Sequence, residues 1–273
     1  MLPNYWGSLM HYMRVSLIIT TYNRADALSL VLCSVESQTV LPKEVIIADD
    51  GSAKETQKMI LDFQENSNLN IIHSWQEDKG FRVAKSRNKA IAKSNDDYII
   101  LIDGDMILHP EFIEDHIKNA EPGYFVQGTR VLLTQQSTQN ALKEIKINFS
   151  LLSFGIQNRK NAIHSNFLSK LFSKKKNYLR GIKTCNMAFF KQDCIAINGF
   201  NNDFEGWGKE DSEFVVRLLN NGVNRKNLRF NAIQFHLWHN ENTRASLQQN
   251  DILLQNAIDN NVNWCDNGID RYL

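Results

Sequence analysis

The feature that most limits what this chain can fold into is the alternation in its first hundred residues. Short runs rich in β-branched and aliphatic residues occur at 15–21 (VSLIITT), 44–48 (EVIIA), 69–73 and 98–102 (YIILI). Each has the length of a buried strand and is far too short to span a bilayer. Between them, 23–37 places Leu28, Val31, Leu32 and Val35 on one helical stripe, and 53–64 and 81–92 also read as helices. Strands alternating with helices predict βαβ units and a mostly parallel sheet in an α/β fold. Ligands of such sheets bind beyond the carboxyl ends of the strands. Two carboxylate pairs fall there: Asp49/Asp50 after the second run and Asp103/Asp105 after the last.

The second half reads differently. Between Glu144 and Asp193 there is no acidic residue, while ten are Lys or Arg. Residues 210–221 predict a helix with Phe214, Val215, Leu218 and Leu219 inward and Gly222 as its stop. Residues 227–238 read as a strand and 245–260 as a C-terminal helix. The 273 residues suit one α/β domain with an elaborated second half. Four segments follow: an N-terminal extension at 1–12, with Met13 as the natural start; a first half, 13–134; a second half, 135–240, with a basic insertion at 145–180; and a helical tail, 241–273. A net charge of +1 gives no global case for nucleic-acid binding. Cys33, Cys185, Cys194 and Cys265 fit neither a zinc site nor a disulfide framework and are expected as free thiols. With no signal peptide and no long apolar run expected, the cytoplasm is the expected compartment.

Asp103-Gly104-Asp105 is the sharpest chemical feature. Two carboxylates flank a glycine just past a strand, and Mg²⁺ or Mn²⁺ is often held by one or two carboxylates together with substrate phosphates. The bland reading is a polar turn. Asp49-Asp50-Gly51-Ser52 is either a helix cap or a site for nucleobase and ribose. Glu210-Asp211 follows Gly206-Trp207-Gly208; it either complements the helix dipole or supplies a general base beside an aromatic sugar platform. His236 and His239 are three residues apart and can face one ion. Arg82, Lys85, Arg87 and Asn88 form a polar set on the helix before the fourth strand, either solvated or in contact with a diphosphate. Phe167–Phe172 followed by Lys174-Lys175-Lys176 has the look of a membrane-surface segment, the alternative being a flexible basic loop.

Taken together, VSLIITTYNR, ADDGS, ILIDGDM and GWGKEDSEF occur in one order, and the chain resembles the family-2 glycosyltransferases with a GT-A fold from about residue 15 to 239. That fold is a Rossmann-like mixed, mostly parallel central sheet flanked by helices, with an acceptor-binding C-terminal half. The stretch from Asn198 to Asp211 is similar to the acceptor-side motif of β-1,4-galactosyltransferases and bacterial chondroitin-polymerase-like enzymes. The resemblance implies donor contacts from Thr21, Asn23, Arg24, Asp49, Asp50, Arg82, Arg87, Asp103 and Gly104. It implies a Mn²⁺ or Mg²⁺ held by Asp105 and His239. The place of His236 is a methionine in the animal galactosyltransferases, which leaves His236 open as a ligand, and a frequent glycine of the family is Lys89 here. Asp211 is implied as the base, with Glu210, Trp207 and Gly206 on the acceptor. The implied reaction is an inverting transfer from a nucleotide-diphosphate sugar, UDP by preference, to a glycan or glycolipid. Bacterial surface polysaccharide or lipopolysaccharide is the implied context. Separately from the resemblance, the membrane-surface reading of 165–180 would put the chain in peripheral contact with the inner face of the membrane.

Two other readings stand beside it. A sugar nucleotidyltransferase needs a Gly-rich phosphate loop after the first strand, where this chain has Thr20-Thr21-Tyr22-Asn23-Arg24; a dehydrogenase lacks its GxGxxG on the same ground. A non-catalytic carbohydrate-binding or scaffold protein of the same fold is the other.

Overall fold

The computed structural model describes residues 13–240 and 245–273. The expected N-terminal extension, 1–12, and the first residues of the tail lie outside these.

The four early runs form β1 (Val15–Thr21), β2 (Glu44–Asp49), β3 (Ile71–Trp75) and β4 (Tyr98–Asp103). They pair in parallel in the order β3-β2-β1-β4. Both faces of this sheet are buried, which is why the strands read as continuous apolar runs rather than alternating ones. Leu17 and Ile19 pack with Leu28, Val31 and Ile60 on one side. Ile18 and Ile46 pack with Ala84, Ile91, Phe200 and Phe214 on the other. The crossover helices are α1 (Ala25–Glu36), α2 (Lys54–Asn66) and α3 (Val83–Lys93). Thr20 is opposite Asp103, Thr21 opposite Asp49, and Asp49 opposite Trp75, so the strands end on one edge.

After β4 the chain makes β5 (Met106–Leu108), α4 (Phe112–Asn119), β6 (Tyr124–Gln127), β7 (Val131–Leu133) and α5 (Gln135–Glu144). The basic stretch supplies β8 (Ile156–Gln157), α6 (Asn166–Phe172) and β9 (Lys174–Lys175). It is followed by β10 (Asn186–Phe190), α7 (Lys191–Ala196), α8 (Glu210–Asn220), β11 (Asn224–Asn227), β12 (Gln234–His236) and α9 (Leu247–Asp259). The main sheet runs β3-β2-β1-β4-β10-β6-β11-β9, with β10 antiparallel to β4 and β6. A second sheet runs β5-β12-β7-β8.

Of residues 227–238, expected as one strand, Asn227 ends β11 and only Gln234–His236 form a strand of their own, β12. β11 belongs to the main sheet and β12 to the second, and between them Phe230 and Ala232 take left-handed conformations (φ 65° and 49°). Buried Asp115 causes the break: it accepts from the Asn231 side chain at 2.6 Å and the Ala232 N–H at 2.8 Å, drawing the chain across. The tail is more than a surface helix, because after α9 the chain returns to bury Ile269 beside Ile18 and Ala84. Among the described residues no helix is long and apolar enough to cross a membrane.

Candidate active site at the carboxyl edge of the sheet

The carboxyl ends of β1, β2 and β4 bring the first acidic pairs together. Asp49 is fully buried and holds its own turn: Oδ1 accepts from the Gly51 and Ser52 N–H groups at 3.2 and 2.8 Å, and Oδ2 meets His73 Nε2 at 2.9 Å. Burial opposes its charge, but the bonds from His73 and Ser52 prevail and hold its carboxyl below the ordinary value. Asp50 accepts from Gln76 at 2.6 Å and from the Arg82 N–H at 2.7 Å; burial is the larger influence and pushes it up. Asn23 links the two strand ends, its N–H on Ser52 Oγ and its Oδ1 accepting from the Ala53 N–H. Arg24 pairs with Asp26 at 3.0 Å, and Arg82 turns its guanidinium to the Glu77 carbonyl. Asp103 accepts from Thr20 Oγ1 at 2.8 Å. Gly104 lies against β1, where a Cβ would come within 2.8 Å of the Thr20 carbonyl. Among the described residues, five buried polar atoms along this edge lack a protein partner: Thr21 Oγ1, Gln76 Oε1, Arg82 Nε, Arg87 Nε and Asp105 Oδ1. Buried polar atoms are normally bonded, so an edge this unsatisfied is one built for a polar ligand.

The histidines reach this edge through the second sheet. His236 pairs with Met106 across β12 and β5, and the Leu237 N–H donates to the Asp105 carbonyl at 2.9 Å. This register sets His236 Nε2 3.4 Å and His239 Nε2 3.1 Å from Asp105 Oδ2, with the two imidazole nitrogens 3.2 Å apart. His239 donates Nδ1–H to the Asn240 carbonyl at 2.7 Å, which leaves Nε2 as its ligand atom. Both histidines therefore converge, including the one left open from sequence. Burial disfavours the Asp105 charge, yet the two histidine contacts outweigh it and hold its carboxyl well below the usual range. With Asp105 Oδ1 orphaned, one carboxylate and two imidazoles fit a divalent cation. Imidazole suits Mn²⁺ and later metals better than Mg²⁺, which prefers oxygen throughout.

A second trio, His109, Glu111 and His164, also lies within reach of one ion. His164 is already held by Asp115 at 2.9 Å and stacks on His109 with ring centroids 4.5 Å apart. This trio reads as a clasp fastening the basic insertion to the start of α4.

The opposite wall is the loop into α8. Gly206, Gly208 and Lys209 take positive φ (74°, 107° and 76°), and Asn250 on α9 binds the Glu205 and Gly208 carbonyls. The loop carries Trp207, 40 % exposed. Behind it, Arg217 makes a two-pronged contact with Glu213 at 2.7 Å and donates to the Ile197 and Gly199 carbonyls. Glu210 and Asp211 begin the helix and point apart. Arg87, 4 % exposed, joins the walls: Nη1 meets Glu210 at 3.1 Å and Nη2 lies 3.6 Å from Asp103, with the guanidinium 5.4 Å from the Phe200 ring centroid. Burial, and then the charge of Glu210, push the Asp211 carboxyl up to about 7, with Arg87 and Ser212 opposing.

Sequence reasoning missed Gln76, which binds Asp50. Asn88, read as part of a polar set either solvated or in contact with a diphosphate, is buried and clamps residues 200 and 202 through Phe200 N–H, Phe200 C=O and Asn202. Lys183, also missed, adds positive charge near Asp211; burial and Arg130 depress its ammonium while Cys185 and Asp211 support it. The Asn-Gly-Phe turn at 198–200 was the available signal for this clamp. Nothing local marks Lys183.

A parallel sheet with an acid-lined carboxyl edge is the frame expected of the family the sequence resembles, and the comparisons show that family. The sequence model of glycosyl transferase family 2 matches residues 16–195, and the chain belongs to that family. The model described as the N-terminal domain of galactosyltransferase matches residues 167–240. The hyaluronan synthase of Pasteurella multocida is 28 % identical over 228 residues, covering 76 % of this chain and 23 % of that protein. The chondroitin synthase of Escherichia coli is 27 % identical over 231 residues, covering 76 % of this chain and 32 % of that protein. The chain thus spans about a quarter to a third of these relatives. Among solved structures, S. aureus TarS 1–349 in complex with UDP superposes with a TM-score of 0.62 at 15 % identity, covering 95 % of this chain and 68 % of that one. The expected GT-A architecture is borne out.

Proposed function

We propose that this glycosyltransferase moves one sugar from a UDP-sugar to a hydroxyl of a glycan or glycolipid acceptor, with inversion, in bacterial surface polysaccharide or lipopolysaccharide synthesis. The observation that carries this is Arg87. One buried guanidinium binds the Asp103 of the donor edge and the Glu210 of the acceptor wall, so the two sets of residues frame one cleft. Asp50, Gln76 and the β1 end, with Thr21, Asn23 and Arg24, face the nucleoside. Arg82 supports Asp50 through its main chain. Asp105, His236 and His239 would hold the cation, Mn²⁺ in preference to Mg²⁺. Bound there, the cation supplies positive charge against the diphosphate.

Asp211 acts as general base. An acceptor hydroxyl gives its proton to Asp211, its oxygen bonds the anomeric carbon, and the bond to the diphosphate oxygen breaks with its electrons leaving on UDP. A base titrating near neutrality suits that step. Trp207 and Gly206 shape the acceptor seat, and Glu210 orients it. UDP is chosen because structures of this fold carry UDP and UDP-GlcNAc. A polysaccharide product is chosen because the relatives named are polysaccharide synthases. The four free cysteines fit the reducing cytoplasm. The test is a panel of nucleotide sugars with Mn²⁺, scored for release of the nucleotide diphosphate with and without chelator. Metal-dependent release from one donor supports the reading. A chain that binds neither donor nor metal is the scaffold alternative, and one that makes nucleotide sugar from NTP and sugar phosphate is the nucleotidyltransferase.

A further inference from the structure

The basic insertion lies on the far edge of the main sheet and is firmly attached there. Ser165 caps α6 by accepting from the Leu168 N–H at 3.3 Å. The Ser165 N–H donates to the Phe230 carbonyl, the Arg229 N–H to Ser173 Oγ, and the Lys176 N–H to the Arg225 carbonyl. A loop merely solvated by its charges would not need these bonds. Yet this fixed segment turns apolar side chains outward: Phe167 is 70 % exposed and Leu171 61 %, a turn apart on one face of α6.

Strand alternation sorts the lysines that follow. Lys175 turns to Glu121, at 2.6 Å, and to the Tyr124 ring, 4.1 Å from its centroid. Its neighbours turn the other way. Lys174 and Lys176 join Arg229, Phe172, Tyr178 and Asn227 around a cavity of about 320 Å³. None of these three cations has a carboxylate partner among the described residues, and the surrounding stretch of sequence from 145 to 192 contains no acid. Cations without counter-charge around a cavity call for anionic groups. Aromatic and aliphatic side chains projecting beside them call for an apolar phase within reach of the same groups, which a free phosphate lacks.

We propose that α6 and the Lys174–Lys176–Arg229 cavity dock this chain on an anionic phospholipid surface, headgroup phosphates entering the cavity and Phe167 and Leu171 entering the acyl boundary. Stable attachment needs two weak signals together, and this segment supplies an apolar face and a basic cluster. The proposal deepens the reading above, since a glycolipid acceptor lies at that surface.

The test is co-sedimentation of the full chain with vesicles of phosphatidylcholine alone, or mixed with phosphatidylglycerol, with inorganic phosphate titrated separately. Binding is expected only to the anionic vesicles and is expected to weaken with salt. The triple variant K174E/K176E/R229E is expected to lose about a hundredfold in partitioning, since each basic side chain near such a surface contributes about fivefold. The variant F167S/L171S, which leaves the cations intact, is expected to lose about tenfold. Equal binding to neutral vesicles, or both variants binding as the parent does, overturns the proposal. So does saturable binding of inorganic phosphate by a chain that ignores vesicles, which would make the cavity a soluble-anion site. Metal-dependent nucleotide release is measured on the same preparations. Release without vesicle binding defeats docking alone, and vesicle binding without release from any donor defeats the transferase reading alone.

Discussion

Replacing Asp211 by Asn separates catalysis from stability, and the structure gives the sign of both. Burial and Glu210 raise this carboxyl from an ordinary 3.8 to about 7. The folded chain therefore holds this proton more tightly than the unfolded chain does. Stability from this group is intact below about pH 4 and is lost as the pH rises to about 7. At about 1.4 kcal/mol per unit, the full shift corresponds to about 4 kcal/mol. Solvent reaches part of the side chain and Asn keeps an acceptor for Ser212, so roughly half, about 2 kcal/mol, is the expected gain at pH 8. For a chain of this size that is about 4–8 °C in Tm. The expected result is a protein that turns over about 10²–10⁴-fold more slowly, as for loss of a general base, with donor affinity little changed. At pH 8 it melts higher than the parent. Thermal unfolding from pH 4.5 to 8.5 should show the two curves separating as the pH rises. Unchanged turnover, or a stability difference that does not depend on pH, would refute the reasoning.

Other outcomes follow from the same geometry. Arg87→Met and Glu210→Gln should move the midpoint of the rate–pH profile in opposite directions, up and down by roughly one unit each, because one removes a charge that favours Asp211 ionisation and the other a charge that opposes it; nucleotide release between pH 5.5 and 9 reads this, and shifts of the same sign would contradict it. His239→Ala should weaken Mn²⁺ binding by about a hundredfold, as should Asp105→Asn, measured by competition with an indicator dye; an unaltered affinity in either would remove that side chain from the site. Gly206→Ala places a Cβ within 2.6 Å of the Ser246 Cβ at a residue with φ 74°, so about 1–3 kcal/mol of stability should go and acceptor KM should rise before donor KM.

What could be read from the sequence divides along physical lines. β1, β2 and β4 were plain because both faces are buried and their residues run unbroken, and the acids at their ends came with them. The third strand was expected at 69–73 and is found at Ile71–Trp75: buried Leu69 is apolar but precedes the strand, whose limits are set by pairing from Val45–Ile71 to Asp49–Trp75. Of the second sheet only β12 gave a sign, within the strand expected at 227–238; β5 and β7 are three residues each and β8 two, too short for any period to be counted. That sheet decides the cation site, because only the pairing of β12 with β5 carries His236 beside Asp105. Arg87 could be suspected as a donor contact, but its bond to Glu210 joins residues 123 apart and no local pattern encodes it.

The neighbouring acids at the start of α8 show why such long-range bonds decide chemistry. Successive helical residues point about 100° apart, and Arg87, whose charge is felt by both acids, bonds only Glu210 of the two. Arg87 meets Glu210, whose charge is thereby matched, and Glu210 then acts on Asp211 as a fixed negative neighbour. Both bonds from Ser212 fall on Asp211 Oδ1, and among the described residues none reaches Oδ2. One carboxylate is thus immobilised as part of the wall, while the other keeps one oxygen without a hydrogen bond among the described residues and a proton affinity near neutrality. On the proposed mechanism, exchanging the two residues would set the paired acid where the base is needed, so the order Glu-Asp, rather than the presence of two acids, would decide which of them takes the proton.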